Sequence, residues 1–365
     1  MLKNIVKKGL VIAVIVLFIS MSIIPSSAFD NVKKSSIPTS YKSIIIVDDE
    51  GDGDYTSIID AVNNSNPGDV IEVYSGTYLE GEILMDTQEI TLKGISYELG
   101  GGNDTGSPLI VRKGFMQIIK VLADNITISG FTMQDNNSGR KALYQGDFID
   151  VYSVNGCLIS NNTIQNGTNF SDGINCLKTN NVQIIDNIIN NMDLSGIDFK
   201  ECNNASIFGN IVSNSEYGIF IESSEVINVT KNKINGCDIG IALSKSHSNT
   251  IYLNNLENNY FGVNLELSTK NIIKHNNFIN NSWDAVWDAV KVVIIQRWNS
   301  FRNSWIENYW DDWIKIGPKI IPGFIFLVIA VIPGGEIQLP IAIPLPLFQL
   351  DRRPVKKPYD IPMGV

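Results

Sequence analysis

Apolar residues return at the same place about every 22 residues along the middle of this chain. Aligning the sequence on glycine followed by isoleucine or valine gives five copies in constant register. Within each copy the apolar positions lie two residues apart, so they point to one side of a short strand. The pattern predicts repeated short strands and not helices. The aligned glycines are Gly173, Gly196, Gly218, Gly240 and Gly262.

One copy cannot bury its own apolar edge, but copies stacked about 4.8 Å apart pack like residues on like residues and pair each strand with the one below. A fully buried column residue contributes roughly 1.5 to 3 kcal/mol against chain entropy, so many coils are needed. The sequence therefore predicts an all-β chain, a right-handed parallel β-helix of about nine coils.

A column of asparagines keeps the same register as the glycines. A buried side-chain amide is costly unless it is satisfied, and stacked amides can bond to each other and to the turn backbone. A residue that recurs in six coils is predicted to be structural, so we expect an internal ladder. Its members are Asn162, Asn187, Asn210, Asn232, Asn254 and Asn276. A column of small polar residues predicts a second ladder at a turn: Thr179, Cys202, Ser224, Ser246 and Ser268.

The two ends of the repeat have their own patterns. Residues 55–64 show helical apolar spacing, which predicts a short amphipathic helix that caps the open core. All six tryptophans follow the last clear copy, whose register is expected to end near Asn281. They are predicted to cover the other end of the core, and stacking on sugar rings is the alternative. The expected division is 44–281 for the β-helix with its cap and 282–365 for the C-terminal capping region.

The first residues have the features of a signal peptide. Three lysines precede an apolar run from Gly9 to Ile24, and Ser26-Ser27-Ala28 resembles a cleavage site. Residues 1–28 are therefore predicted to direct export to the cell surface or beyond, with an uncleaved tether as the alternative and no span in the mature chain. Several Asn-X-Ser/Thr triplets, among them Asn125 and Asn228, would allow glycosylation in an exported chain.

Charge and cysteine content narrow the choice of partners. The formal net charge of -10 argues against a nucleic-acid partner. Cys176 and Cys202 would lie in adjacent coils with a lateral offset of roughly 10 Å, which exceeds disulfide reach, so unpaired thiols are predicted. Aspartates at 48, 49, 52 and 54 raise the possibility of Ca²⁺, but their spacing is not that of a twelve-residue calcium loop and favours a solvated turn.

Three segments carry a resemblance to a known superfamily. They are the N-terminal stretch 48–58, the coils of the form Asn161 to Ile164 with their Gly-Ile pairs, and the stretch 308–313. In these segments the chain resembles the pectin-lyase-like right-handed parallel β-helix superfamily, and especially its NosD-type repeat proteins on archaeal surfaces. The resemblance implies the fold. It also raises copper delivery, for which clustered thiolate, thioether or imidazole ligands would be needed. The sequence lacks such a cluster, and no metal or other cofactor is expected.

The outward positions of the strands include candidate ligand-binding and catalytic residues. Two neighbouring columns are polar in the first coils, and their members are expected to share one face: Asp150, Tyr152, Asn175, Asp198, Lys200 and Glu222. Of these, Asp150, Tyr152, Asn175, Asp198 and Glu222 are predicted to bind a ligand, and Asp150, Asp198, Lys200 and Glu222 are candidate catalytic residues. Asp150 and Asp198 would lie two coils or about 9.6 Å apart. That distance is close to the carboxylate separation of inverting glycosidases. Outward carboxylates are also common on soluble repeat proteins.

Polygalacturonases offer a sharper comparison. Ser171-Asp172-Gly173-Ile174 keeps one aspartate of their first motif, whereas their aspartate doublet and histidine have no counterpart here. The leading hypothesis is therefore a secreted or surface β-helix that binds a polysaccharide or envelope glycan, or builds an extracellular layer. A polysaccharide lyase or glycoside hydrolase that uses the polar face is the alternative, and NosD-like copper delivery is a second one.

Overall fold

The computed structural model describes residues 42–135, 146–292, 303–313, 316–329 and 341–362. The segment Lys42–Val365 forms one unit. The predicted signal peptide and the segment 136–145 lie outside the described residues.

The described residues contain one helix, α1, at Ile58–Asn63, and thirty-two strands in chain order. The N-terminal strands are β1 Ile44–Val47, β2 Val70–Val73, β3 Thr77–Glu80, β4 Ile83–Met85, β5 Thr91–Gly94, β6 Leu109–Arg112, β7 Ile119–Val121, β8 Thr127–Ser129 and β9 Thr132–Gln134. The regular coils contribute β10 Ile149–Tyr152, β11 Leu158–Ser160, β12 Thr163–Gln165, β13 Ile174–Leu177, β14 Gln183–Ile185, β15 Ile188–Asn190, β16 Ser195–Lys200, β17 Ser206–Phe208, β18 Ile211–Ser213, β19 Tyr217–Glu222, β20 Asn228–Thr230, β21 Lys233–Asn235, β22 Ile239–Ser244, β23 Thr250–Tyr252, β24 Asn255–Glu257, β25 Phe261–Glu266, β26 Ile272–Lys274 and β27 Asn277–Ile279. The C-terminal strands are β28 Trp283–Val292, β29 Ser304–Ile306, β30 Tyr309–Trp310, β31 Lys319–Ile329 and β32 Ile341–Asp351.

Each regular coil contributes three strands, and each strand pairs in parallel with its equivalent in the next coil. The third strands form a ten-stranded sheet, and the other two strands of each coil belong to one larger sheet. The predicted apolar columns are paired residue by residue, as in the pairing of Ile174 with Ile197 and of Ile197 with Ile219. The chain is thus a parallel β-solenoid of about ten turns, which agrees with the predicted right-handed β-helix and with its count of about nine coils.

Helix α1 closes the N-terminal end, as predicted. Its Ile58, Ala61 and Val62 side chains are buried, and Ser57 caps its first turn by accepting from the backbone N–H of Asp60 at 3.4 Å. The predicted spacing therefore identified the helix, although its first residue is Ile58 and not Tyr55.

The asparagine ladder is present as predicted. In each step one Oδ1 accepts from both the backbone N–H and the Nδ2 of the preceding asparagine, as Asn232 does from Asn210 at 2.9 and 3.0 Å. The Nδ2 of Asn232 also donates to the carbonyl of Ile207. The ladder asparagines are at most 1% exposed. The polar column is a second ladder: the hydroxyls of Ser224, Ser246 and Ser268 each accept from the backbone N–H one coil before.

The residue before each ladder asparagine lies in the left-handed region of backbone conformation. Gly209 fills this position once, at φ +69°, and Leu253 fills it at φ +54°. Side-chain-bearing residues pay a steric penalty there, so the turn is held by the ladder bonds on either side of it.

Stacking continues beyond Asn281, the residue at which the register was expected to end. Asn276 donates to Asn308 in the same way as the earlier rungs, across 32 residues instead of about 22. Asn308 in turn donates to the buried carboxylate of Asp351 at 2.9 and 3.1 Å, which ends the ladder. The larger separation of the two asparagines along the chain hid this coil from the sequence columns.

Two of the tryptophans cover the end of the core, as expected for a cap. Trp310 is fully buried and stacks on Phe278 with ring centroids 4.2 Å apart, and Trp305 is 4% exposed. The four cysteines are free and buried, as predicted.

Candidate functional site

The predicted polar residues lie on the first strand of successive coils. Asp150 on β10 pairs with Asn175 on β13, which pairs with Asp198 on β16. Their neighbours inside each strand are buried, so these three side chains point outward. Lys200 pairs with Glu222 in the next column. The structure thus brings the predicted residues together on one face.

Asn175 connects the carboxylates of this face. Its Nδ2 donates to Asp147 Oδ2 at 3.0 Å and to Asp150 Oδ1 at 3.4 Å. One amide therefore bridges two acidic groups of the preceding coil.

Two aspartates at the edge of the face were not among the predicted site residues. Asp147 accepts from the backbone N–H of Asp172 at 2.9 Å, and Asp172 accepts from that of Ser195 at 2.6 Å. Both carboxylates are at most 5% exposed. Asp172 stands directly before the repeat glycine Gly173, and Asp147 holds the same place one coil earlier, which is the signal that could have found them. We call Asp147, Asp150, Asp172, Asn175 and Asp198 the acidic face.

The surroundings of the acidic face raise the pKa of its carboxyl groups. Burial, followed by the charge of Asp147, raises the pKa of Asp150 to about 6. Burial, with Asp147 and then Asp198, raises the pKa of Asp172 to about 8. Burial, with Asp147 and then Glu222, raises the pKa of Asp198 to about 7. Burial also raises the pKa of Asp147. The face therefore offers carboxyl groups that can exchange protons near neutral pH.

Some polar atoms at this face lack a protein partner. Asp198 Oδ1 and the hydroxyl of Ser171 are buried and find no hydrogen-bond partner among the residues described. Buried polar atoms are normally satisfied, so each unsatisfied one calls for an explanation, such as a bound ligand or solvent.

The surroundings of the face supply charge and aromatic surface. Lys200 Nζ lies 2.9 Å from Glu222 Oε2, and this bond and charge raise the pKa of the Lys200 ammonium. Lys200 is therefore a paired cation and a poor base at neutral pH. Tyr152 is 41% exposed. Phe220, which pairs with Asp198, packs on Tyr217 with ring centroids 5.0 Å apart.

Groups that could hold a metal ion lie elsewhere, and in the described ranges each of them consists of carboxylates alone. They are Asp48 with Glu50 and Glu98, Asp49 with Glu50 and Asp104, and Asp284 with Asp311 and Asp312. These hard oxygen donors suit Ca²⁺ or Mg²⁺ and not copper(I).

The soft donors do not converge. The thiols are buried in separate coils, His247 bonds to Thr269 at 3.0 Å, and His275 bonds to Glu307 at 3.1 Å. The imidazoles and thiols of this chain therefore do not fit a copper site.

In the part of the chain that the structure describes, no helix has the length and apolar character needed to cross a membrane.

Comparisons with known proteins give one family match. The sequence model described as "Periplasmic copper-binding protein (NosD)" matches residues 62–313. A search of curated proteins found no match.

Solved structures similar to this chain are distant in sequence. DFA-IIIase from Arthrobacter chlorophenolicus A6, in complex with GF2, is 12% identical with a TM-score of 0.49, covering 69% of this chain and 79% of its own. Alginate lyase AlyF-OU02 with G6 is 13% identical with a TM-score of 0.47, and the match covers 76% of this chain and 66% of the lyase chain. The A-module of the mannuronan C-5 epimerase AlgE6 from Azotobacter vinelandii is 13% identical with a TM-score of 0.42, and the match covers 68% of this chain and 86% of the A-module.

Proposed function

Because this chain belongs to the family described as the periplasmic copper-binding protein NosD, we propose that it works in the cell envelope, as an exported β-helix protein that binds carbohydrate on its acidic face. The periplasmic description of the family supports an envelope location. Export through the signal peptide predicted at residues 1–28 belongs to the same proposal, as does display on an archaeal cell surface.

Asp198 is the observation that carries the proposal. Its Oδ1 is buried and has no hydrogen-bond partner among the described residues, while the carboxyl group opens onto the outer face of β16. A sugar hydroxyl can donate to this oxygen when the carboxyl is ionised and accept from it when it is protonated. Such a group is well suited to bind a polyhydroxylated ligand.

The repeat itself supports a linear ligand. Asp150, Asn175 and Asp198 follow one another at the spacing of the coils, about 4.8 Å, so a chain of sugars laid along the solenoid would meet a polar group at each step. Tyr152 at one end and Phe220 at the other provide aromatic surface on which sugar rings can stack. Lys200 and Glu222 form a charged rim.

The test is binding of the full chain to a panel of neutral and acidic polysaccharides, measured by calorimetry. We expect at least one to bind, and we expect Asn175→Ala to weaken it about tenfold because the Asp147 to Asp150 bridge and one polar contact are lost. Asn264→Ala is the matched control, since Asn264 occupies the same column three coils beyond Asp198. Equal affinity of the two variants, or no ligand for the wild type, would contradict the proposal.

A second function, cleavage of the bound polysaccharide, is favoured by the raised pKa of Asp150 and of Asp198, to about 6 and about 7. A carboxyl with such a pKa can act as a general acid near neutral pH, and a second carboxylate two coils away could activate water. The same polysaccharide mixtures should be assayed for new reducing or unsaturated ends. Products that disappear with Asp198→Asn would establish catalysis, and intact polysaccharide would leave binding alone.

Copper delivery receives no support from the donor set described above. It would require thiols and imidazoles that this fold keeps apart.

A further inference from the structure

Five carboxylates meet at the N-terminal end of the solenoid, far along the coils from the acidic face. Asp48, Asp49 and Glu50 follow β1, and Glu98 and Asp104 lie in the loop between β5 and β6. Carboxylate oxygens of Asp48, Glu50 and Glu98 lie within 4.8 Å of one another, and those of Asp49, Glu50 and Asp104 form a second such group. Glu50 belongs to both groups.

One member of this cluster, Asp48, is buried to an extent that is unusual for a solvated turn. Asp48 is fully buried; its Oδ2 accepts from the backbone N–H of Asp52 at 3.0 Å. Its Oδ1 is buried and has no hydrogen-bond partner among the described residues. An unsatisfied buried carboxylate oxygen that lies among other carboxylates indicates a missing positive partner.

No described basic side chain supplies that partner. None of the ion pairs within the described residues includes any of the five carboxylates. A hydrogen bond with Asp49, followed by burial and by the charges of the neighbouring carboxylates, raises the pKa of Glu50 to about 7. Burial and the charge of Asp48 raise the pKa of Glu98.

The backbone makes room for this cluster. A Cβ atom at Gly102 would collide with Glu98 Oε1, and a Cβ atom at Gly76 would collide with Asp49 Oδ1. Glycine at these positions therefore lets the loop approach the carboxylates closely, as ligand-binding loops require.

We propose that Asp48, Glu50 and Glu98, with Asp49 and Asp104 beside them, bind Ca²⁺ and so fasten the loop 95–107 to the N-terminal turn. Two oxygens bound to one Ca²⁺ at about 2.4 Å can be at most about 4.8 Å apart, and the carboxylate oxygens within each group meet this limit. Ca²⁺ accepts an irregular set of six to eight oxygens, whereas Mg²⁺ demands near-octahedral geometry. The ion would lock the cap at α1 onto the first coils.

The spacing of the aspartates at 48, 49, 52 and 54 along the sequence predicts a solvated turn and not a calcium loop. The structure separates them: Asp54 turns away and accepts from the backbone N–H of Ile46 at 2.9 Å. Glu98 and Asp104, some fifty residues along the chain, take part instead.

The test compares the full chain in CaCl₂, in MgCl₂ and in EGTA, at ionic strength matched with NaCl, by thermal unfolding and calorimetry. We expect Ca²⁺ to bind and to raise the Tm by several degrees, and Mg²⁺ to do so less. Glu98→Gln should weaken Ca²⁺ binding about tenfold or more. Glu72→Gln is the matched control: Glu72 is a carboxylate of a neighbouring strand already paired with Lys93 at 3.0 Å, and its variant should respond to Ca²⁺ as the wild type does.

A folding defect is distinguished by the measurement in EGTA. There Glu98→Gln should melt at or above the wild type, since it removes one of the repelling carboxylates. A wild type whose Tm is the same in Ca²⁺ and EGTA would overturn the proposal, as would an equal loss of response in Glu72→Gln. An equal response to Mg²⁺ would overturn the assignment to calcium. None of these outcomes depends on carbohydrate binding.

Discussion

The asparagine ladder and the acidic face both run along this solenoid, and they differ in how their hydrogen-bonding groups are satisfied. In the asparagine ladder each inner amide both donates and accepts within the protein, as Asn210 and Asn232 do. On the acidic face Asp198 Oδ1 is buried without a partner among the described residues. A column that satisfies itself stabilises the fold, whereas one that does not is open to a ligand. Repetition alone does not distinguish the two; hydrogen bonding does.

The largest effect should come from breaking the ladder. Asn232→Ala leaves the backbone N–H of Asn210 and the carbonyl of Ile207 without their side-chain partner in a buried place. Each such loss costs about 1 to 3 kcal/mol, so we expect the free energy of unfolding to fall by about 3 kcal/mol in urea titrations. Asn203→Ala, at an exposed turn asparagine, should change it by less than about 0.5 kcal/mol. Similar losses in both variants would mean that the ladder contributes no more than the surface.

Replacing a polar residue of the acidic face should stabilise the folded protein above neutral pH, whereas replacing a ladder asparagine destabilises it. The pKa of Asp198 is about 7 in the folded protein and 3.8 ordinarily, so the folded state binds its proton more tightly than the unfolded state. Wild-type stability is therefore lost as pH rises from about 4 to about 7, and the loss is complete above that range. Asp198→Asn keeps the shape without the charge and should be the more stable protein at pH 8, by about 2 kcal/mol, which is half of the roughly 4 kcal/mol that the shift alone would give, because solvent at the outer face screens the charge.

The measurement for Asp198→Asn is the Tm of both proteins between pH 4 and pH 9. The curves should converge near pH 4 and separate through neutrality. Asn264→Asp would serve as a control that adds a carboxyl in the same column away from Asp147. A constant difference across the pH range would show that the variant acts through packing and not through the charge of Asp198.

The sequence predicted the ladder better than the site, for a physical reason. Alternation along a strand and register between coils fix where Ile174, Ile197 and Asn187 must point. The same rule placed Asp150, Asn175 and Asp198 on one outward face. The positions of columns that repeat every 22 residues can therefore be predicted from the sequence alone.

Alternation and repeat register did not predict the roles of several residues that lie next to the strands or in loops. Asp147 and Asp172 precede the strands, where the backbone turns and alternation no longer applies. Asn308 was missed because it lies 32 residues after Asn276 instead of about 22. Glu98 lies in an irregular loop, and only the folded chain shows that it reaches Asp48. Asn308 and Glu98 therefore have no periodic signal in the sequence, whereas Asp147 and Asp172 keep a constant register with the repeat glycine.

The smallest effect concerns the turn before each ladder asparagine. Leu253 adopts φ +54° there, a conformation that costs a residue such as leucine about 1 kcal/mol and that asparagine tolerates better. Asn161 holds the equivalent position at φ +55°. Leu253→Asn should therefore raise the free energy of unfolding by about 0.5 kcal/mol after some loss of apolar contact. Leu253→Ala keeps the strain and loses the contact, so it should destabilise. If both variants destabilise equally in urea titrations, the ladder fixes the turn so firmly that backbone preference no longer matters.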